Sequence, residues 1–162
     1  MRTYRDTDLG ACRRLWEELT DWHRGLYASE SIGGENPGLQ FDAHLRDVGP
    51  ENVYVADLDG EVIGMTGLIV RGSEVELEPL IVTKAARGTG LGTQLAEAVI
   101  ARARAMGART VVVKPAARNT RAVGFFHERG FDILGQIELM LDLVPGERAW
   151  HPADIATEQY RY

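Results

Sequence analysis

The stretch Glu74–Leu95, EVELEPLIVTKAARGTGLGTQL, decides how this chain is read. Glu74, Glu76 and Glu78 alternate with Val75, Leu77 and Pro79, the period of a strand, and the run closes on apolar Leu80-Ile81-Val82. Arg87-Gly88-Thr89-Gly90-Leu91-Gly92 follows, and beyond it Leu91, Leu95, Val99 and Ala103 recur at helical spacing. A glycine-rich turn between a strand and a helix leaves several backbone N–H groups pointing one way. The helix dipole adds partial positive charge there, so a phosphate fits without any side chain. A P-loop is excluded, because it ends in Gly-Lys-Ser/Thr and Gly92 is followed here by Thr93-Gln94. A dinucleotide fingerprint needs a longer spacing than this turn offers. The bare pattern remains equally that of a tight turn.

The rest of the chain narrows the setting. Its 162 residues fit one domain with a sizeable core, and 44% apolar and 26% charged residues are ordinary for a soluble globular protein. No apolar run is long enough to cross a bilayer, and the opening MRTYRDTDLG has no leader-like apolar segment. One cysteine excludes an internal disulfide and fits a reducing cytoplasm. A formal charge of −6 argues against general nucleic-acid binding and favours, weakly, a cationic partner. No spacing of Cys, His or carboxylates suggests a metal site.

Around the opening stretch, elements alternate. MRTYR reads as a short strand, and Asp8 as the N-cap of a helix carrying Leu9, Cys12, Trp16 and Leu19, with Cys12 toward the core. Tyr27–Gly38 is a long loop, followed by a short helix over Leu39–Asp47. VYVADLDGEVIGMTGLIV predicts two strands joined at Asp59-Gly60. A helix from about Gly90 to Met106 ends at Gly107, TVVVK is a buried strand, and Asn119 opens a last helix running to Arg129. FDILGQIELMLDL predicts two final strands hinged near Gly135. The class is α/β, with a domain over residues 1–143. The tail 144–162 is left with two readings, packing on that domain or reaching a second copy in a homodimer.

LIVTKAARGTGLGTQLAEAVIARARAMGA resembles the acyl-CoA-binding motif of the GCN5-related N-acetyltransferases, the GNAT superfamily. The family's Arg/Gln-x-x-Gly-x-Gly/Ala signature falls on Arg87, Gly90 and Gly92. NTRAVGFFHERGF, from Asn119 to Phe131, resembles its Asn-x-x-Ala…Phe-Tyr-x-x-x-Gly-Phe block, and the likeness spans roughly Arg2 to Leu143. It implies a mixed, mostly antiparallel central sheet splayed at the acyl-CoA site and flanked by helices. It further implies an N-acetyltransferase that moves an acetyl group from acetyl-CoA to a primary amine of a small molecule or peptide by direct attack. The turn Arg87, Gly88, Thr89, Gly90, Leu91, Gly92 and Thr93 would hold the pyrophosphate. Leu80, Ile81 and Val82 would offer main-chain groups to the pantetheine arm, with Asn119 and Phe126 beside it. The Val82 N–H would meet the thioester oxygen as negative charge develops there.

The amine must lose a proton before it attacks, and a residue of the glutamate strand is the expected base: Glu78 first, Glu76 second, with Glu74 solvated. Close carboxylates also raise one another's proton affinity. The resemblance departs from the family at the tyrosine that protonates the leaving thiolate, since this chain has Phe126, and His127 is turned about 100° away along the helix. That vacancy supports the rival reading, a non-catalytic acyl-CoA sensor or scaffold. Trp22, His23, Tyr27, Glu30 and Glu35 are candidates to line the acceptor site, and Lys84, Arg118 and Arg121 to meet the CoA phosphates.

Overall fold

The computed structural model describes residues 1–141, 143, 160 and 161. Five strands form one sheet in sequence order: β1 (Arg2–Thr3), β2 (Val53–Leu58), β3 (Glu61–Arg71), β4 (Glu74–Val82) and β5 (Thr110–Val112). The first three neighbouring pairs are antiparallel and β4–β5 is parallel, so the sheet is mixed and mostly antiparallel. Asp59 and Gly60, at φ 53° and 88°, make the β2–β3 turn. Both central residues of such a hairpin turn need positive φ, which is why Asp-Gly predicts it.

Strand alternation splits the interior into two apolar layers. Val53, Val55, Met65 and Ile81 face α1 (Leu9–Tyr27) and α2 (Gln40–Val48), packing with Cys12, Leu15 and Phe41. Leu68, Val75 and Leu77 face α3 (Leu91–Ala105) and α4 (Thr120–His127), packing with Ala96, Val99 and Phe126. Cys12 is fully buried, and burial pushes its thiol up to about 12, so it is a core residue with no nucleophilic character at neutral pH.

Asp8 lies where the sequence places a helix cap, but it does another job. Its carboxylate accepts the Arg5 N–H and pairs with Arg2, which also binds Asp57 on β2. Asp8 therefore ties the first strand to the hairpin instead of capping α1 by a side-chain bond.

Two features position the site. The β3–β4 ladder slips between Thr66 and Leu68, and a Cβ at Gly67 would collide with the Glu78 carbonyl oxygen, so glycine permits this close approach. The β4–β5 pairing covers only Glu74–Glu76 against Thr110–Val112, after which the strands part and leave Leu80–Val82 beside an open edge.

The end of the chain differs from the expected pair of strands. Among the described residues, Ile133 makes a single parallel bridge to Arg161, and residues 134–141 adopt no strand. Strand propensity needs a ladder partner to become a strand, and Leu139 and Leu141 stay exposed here. Tyr160 stacks edge-on against His127 at 5.2 Å, and Arg161 pairs with Asp132. The other residues of the tail lie outside the described residues.

Candidate active site

The register of β4 fixes what its open edge offers. The Thr83 N–H donates to the Ile63 carbonyl at 2.9 Å, and Val82 stands opposite Gly64. Antiparallel pairs alternate between bonded and non-bonded, so Val82 and Leu80 turn their N–H and C=O groups away from β3, toward the splay. Ile81, opposite Met65, spends its main-chain groups on the ladder and contributes lining only. On the open edge the Val82 carbonyl accepts from Arg87 Nε at 3.0 Å, which leaves the Val82 N–H as the outward donor.

The turn after β4 is built as the sequence suggests. Gly88 and Gly90 hold φ of 82° and 87°, where a side chain would be strained although nothing protein-borne crowds the space. Gly90 is the N-cap of α3, and the first bond of that helix runs from the Gln94 N–H to the Gly90 carbonyl. The N–H groups of Leu91, Gly92 and Thr93 thus lie outside the helix ladder, pointing beyond its positive end. Gly92 packs closely: a Cβ there would touch Phe125 at 3.5 Å and Leu80 at 3.7 Å.

A cleft of about 440 Å³ joins these parts, lined along one wall by Leu80, Ile81, Val82 and the turn, and opposite by Asn119, Ala122, Phe125 and Phe126. That volume suits a cofactor-sized arm. Asn119 caps α4, its side chain accepting from the Ala122 N–H at 3.1 Å. Phe126 is largely buried, edge-on to Phe125 and Phe131, so it is a core residue with one face on the cleft. His127 is not among the lining residues and faces Tyr160.

Among the described residues, three basic side chains line the cleft: Arg87, Arg121 and Arg129. Lys84 and Arg118, the other basic candidates, are not among its lining residues. Arg129, which no motif singles out, places its guanidinium 3.6 Å from the Phe125 ring centroid and donates to Thr93 Oγ1 at 2.6 Å. Its signal in the sequence is its place four residues after Phe125, on the turn that follows α4. Trp22, a candidate for the acceptor site, lines this cleft with Leu19, and Arg87 sits over its ring at 5.5 Å. Tyr27 carries Arg118 over its ring at 5.0 Å, which links the end of α1 to the loop before α4.

The glutamates take different positions along the strand. Glu76 is buried, and its Oε2 receives Lys114 Nζ at 2.8 Å and Arg71 Nε at 3.4 Å. Glu78 keeps solvent access at the irregular step of the ladder. Burial first, and repulsion from Glu76 second, raise the Glu78 pKa above its usual value, while Lys114 and Arg71 oppose the rise. No group of three or more His, Cys, Asp or Glu among the described residues could hold a metal ion, and no described helix is long and apolar enough to cross a membrane.

A sheet split beside a glycine turn at a helix N-terminus, with an outward amide between them, can seat an extended anionic ligand, and comparison with known proteins supplies the family. Residues 12–131 match the acetyltransferase (GNAT) family, and the chain belongs to it. It is an acyl-CoA-dependent N-acetyltransferase by that membership. It is 35% identical over 135 residues to an L-methionine sulfoximine/L-methionine sulfone acetyltransferase of Pseudomonas paraeruginosa (strain DSM 24068 / PA7), covering 80% of this chain and 78% of that one. The Pseudomonas aeruginosa protein of the same description is 34% identical over the same span and shares. Among solved structures, a ribosomal-protein-alanine N-acetyltransferase from Brucella melitensis superposes with a TM-score of 0.65 at 22% identity, covering 83% of this chain and 85% of that one. That last likeness concerns the fold alone.

Proposed function

We propose that this chain transfers an acetyl group from acetyl-CoA to the primary amine of a small molecule, by direct attack within a ternary complex. The observation that carries the proposal is the outward Val82 N–H set between the anion turn and Glu78 on one continuous strand and turn. The amides from Gly88 to Thr93 hold the pyrophosphate, with Arg129 adding positive charge beside Thr93. Leu80 and Val82 complete the sheet edge with the pantetheine arm, and the thioester oxygen meets the Val82 N–H.

Glu78 takes a proton from the acceptor ammonium. The neutral nitrogen then forms a bond to the thioester carbonyl carbon, and the Val82 amide stabilises the oxyanion. Collapse breaks the carbon–sulfur bond as the nitrogen gives its second proton to solvent, leaving the neutral amide and releasing CoA as thiolate. A thiol of pKa about 8.5 leaves well without an acid, so Phe126 is compatible with turnover. The acceptors acted on by the two Pseudomonas relatives, by their descriptions, make L-methionine sulfoximine and L-methionine sulfone the first compounds to try.

The test is free-thiol release on mixing the protein, acetyl-CoA and a panel of amines that includes those two. Amine-dependent release supports the proposal. Tight acetyl-CoA binding with no release across the panel favours the sensor reading, for which the missing hydroxyl at Phe126 is the specific observation.

A further inference from the structure

We infer that Lys114 and Arg71, held by the buried Glu76, form a subsite for a carboxylate on the acceptor, so that the preferred substrates are α-amino acids. The inference rests on the acetyltransferase proposal and deepens it. Its ground is the contrast within one cluster. The Glu76 side chain is 6% exposed, while those of Lys114 and Arg71 are 60% and 59% exposed, and both cations converge on the same oxygen, Oε2. An ammonium has three donors and a guanidinium five. One contact each to Glu76 fixes the two head groups and leaves further donors facing solvent.

The place of the cluster matters as much. Glu76 stands opposite Val112 at the last rung of the β4–β5 ladder, where the strands begin to part. Lys114 lies two residues beyond Val112, just past the end of β5, and Glu78 two residues beyond Glu76, so both lie where the two strands part. Glu76 raises the proton affinity of the Glu78 carboxylate, and Lys114 and Arg71 lower it.

Charge then selects among amines. Glu76 and Glu78 offset the charge of Lys114 and Arg71, which gives a cluster with separated poles. A zwitterion matches both poles, its ammonium toward Glu78 and its carboxylate toward Lys114. A polyamine or aminoglycoside places extra positive charge against Lys114 and Arg71 and gains nothing overall. Compensating the buried Glu76 charge takes one contact from each cation, and the donors that remain on the exposed head groups are what a carboxylate can use.

The experiment uses the full chain and a matched pair of acceptors: L-methionine sulfone and 3-(methylsulfonyl)propylamine, which is the same skeleton without the carboxylate. Losing a charge-assisted hydrogen bond is worth about 10- to 100-fold, so kcat/KM favours the amino acid by at least about tenfold in the unaltered protein. Lys114→Ala brings that ratio to within about threefold of one, chiefly by raising KM for the amino acid, and Lys114→Arg restores the preference. Glu76→Gln lowers the ratio as well, because the cations lose their anchor. Should Lys114→Ala fold poorly, Lys114→Gln gives the same readout. No preference in the unaltered protein, or a ratio untouched by these substitutions, overturns the subsite while leaving the acetyltransferase proposal standing. Absence of transfer to any amine overturns both.

Discussion

Thr83 donates its N–H to the Ile63 carbonyl at 2.9 Å, and this one bond decides which way Val82 faces. It makes the neighbouring Val82–Gly64 pair non-bonded and turns the Val82 amide out of the sheet. Val82→Pro removes that donor without removing a rung of the ladder, whereas Ile81→Pro removes a rung. The expected result for Val82→Pro is a kcat lower by about 10²–10³-fold, with a smaller loss of melting temperature than Ile81→Pro shows. Equal thermal losses in the two variants would contradict the register argument.

Gly90→Glu tests the anion turn. The position has φ 87° and open space around a Cβ, so the substitution strains the backbone but meets no protein wall. The expected cost is about 1–2 kcal/mol of stability, together with loss of measurable acetyl-CoA binding in calorimetry. A folded variant that binds acetyl-CoA as before would move the pyrophosphate elsewhere.

Glu78→Gln tests the base. The carboxylate works when deprotonated, and its pKa is raised, so the acid limb of kcat/KM in the unaltered protein lies above the ordinary carboxylate range. The Gln variant depends on the fraction of acceptor that is already neutral, which grows with pH. Its deficit, on the order of 10²–10⁴-fold at most, is therefore largest at low pH and narrows as the amine deprotonates unaided. Parallel pH profiles would assign the base to another group.

Two histidines set a pH dependence of stability. Burial lowers the pKa of His23 and of His44, and His44 Nε2 is buried without a hydrogen-bond partner among the described residues. In the unfolded chain these imidazoles take protons below about pH 6.5, and in the fold they do so only at lower pH. The unfolded state then binds more protons, so stability falls as pH drops through that value. Asp8, Asp42, Asp57 and Asp132, with lowered pKa values, act in a separate and more acidic window. His44→Leu should flatten the fall in melting temperature between about pH 6.5 and pH 5. An unchanged slope would place the effect at His23 or elsewhere.

What could be read from the residues alone had local causes. Asp59-Gly60, Gly88 and Gly90 need positive φ, Asn119 caps its own helix, and Cys12 follows a helical period. The parts that were not legible depend on which distant residues meet. The sequence ranks Glu78 before Glu76 and leaves Glu74 solvated, but it does not show that Lys114 and Arg71 converge on a buried Glu76, nor that Glu78 falls at the irregular step opposite Gly67. Arg129 joins the site through Thr93, 36 positions earlier in the chain. The segment after Ile133 has strand composition, but a strand there depends on a partner, and composition does not supply one.

The central claim is a direct transfer from acetyl-CoA to an amine in one complex. Initial rates of thiol release, measured over a grid of acetyl-CoA and L-methionine sulfone concentrations, test it most directly. Direct attack predicts amine-dependent release with double-reciprocal lines that intersect, in keeping with a Cys12 thiol too buried to carry an acyl group. Parallel lines, the mark of a covalent acyl-enzyme, or no amine-dependent release at all, would contradict it.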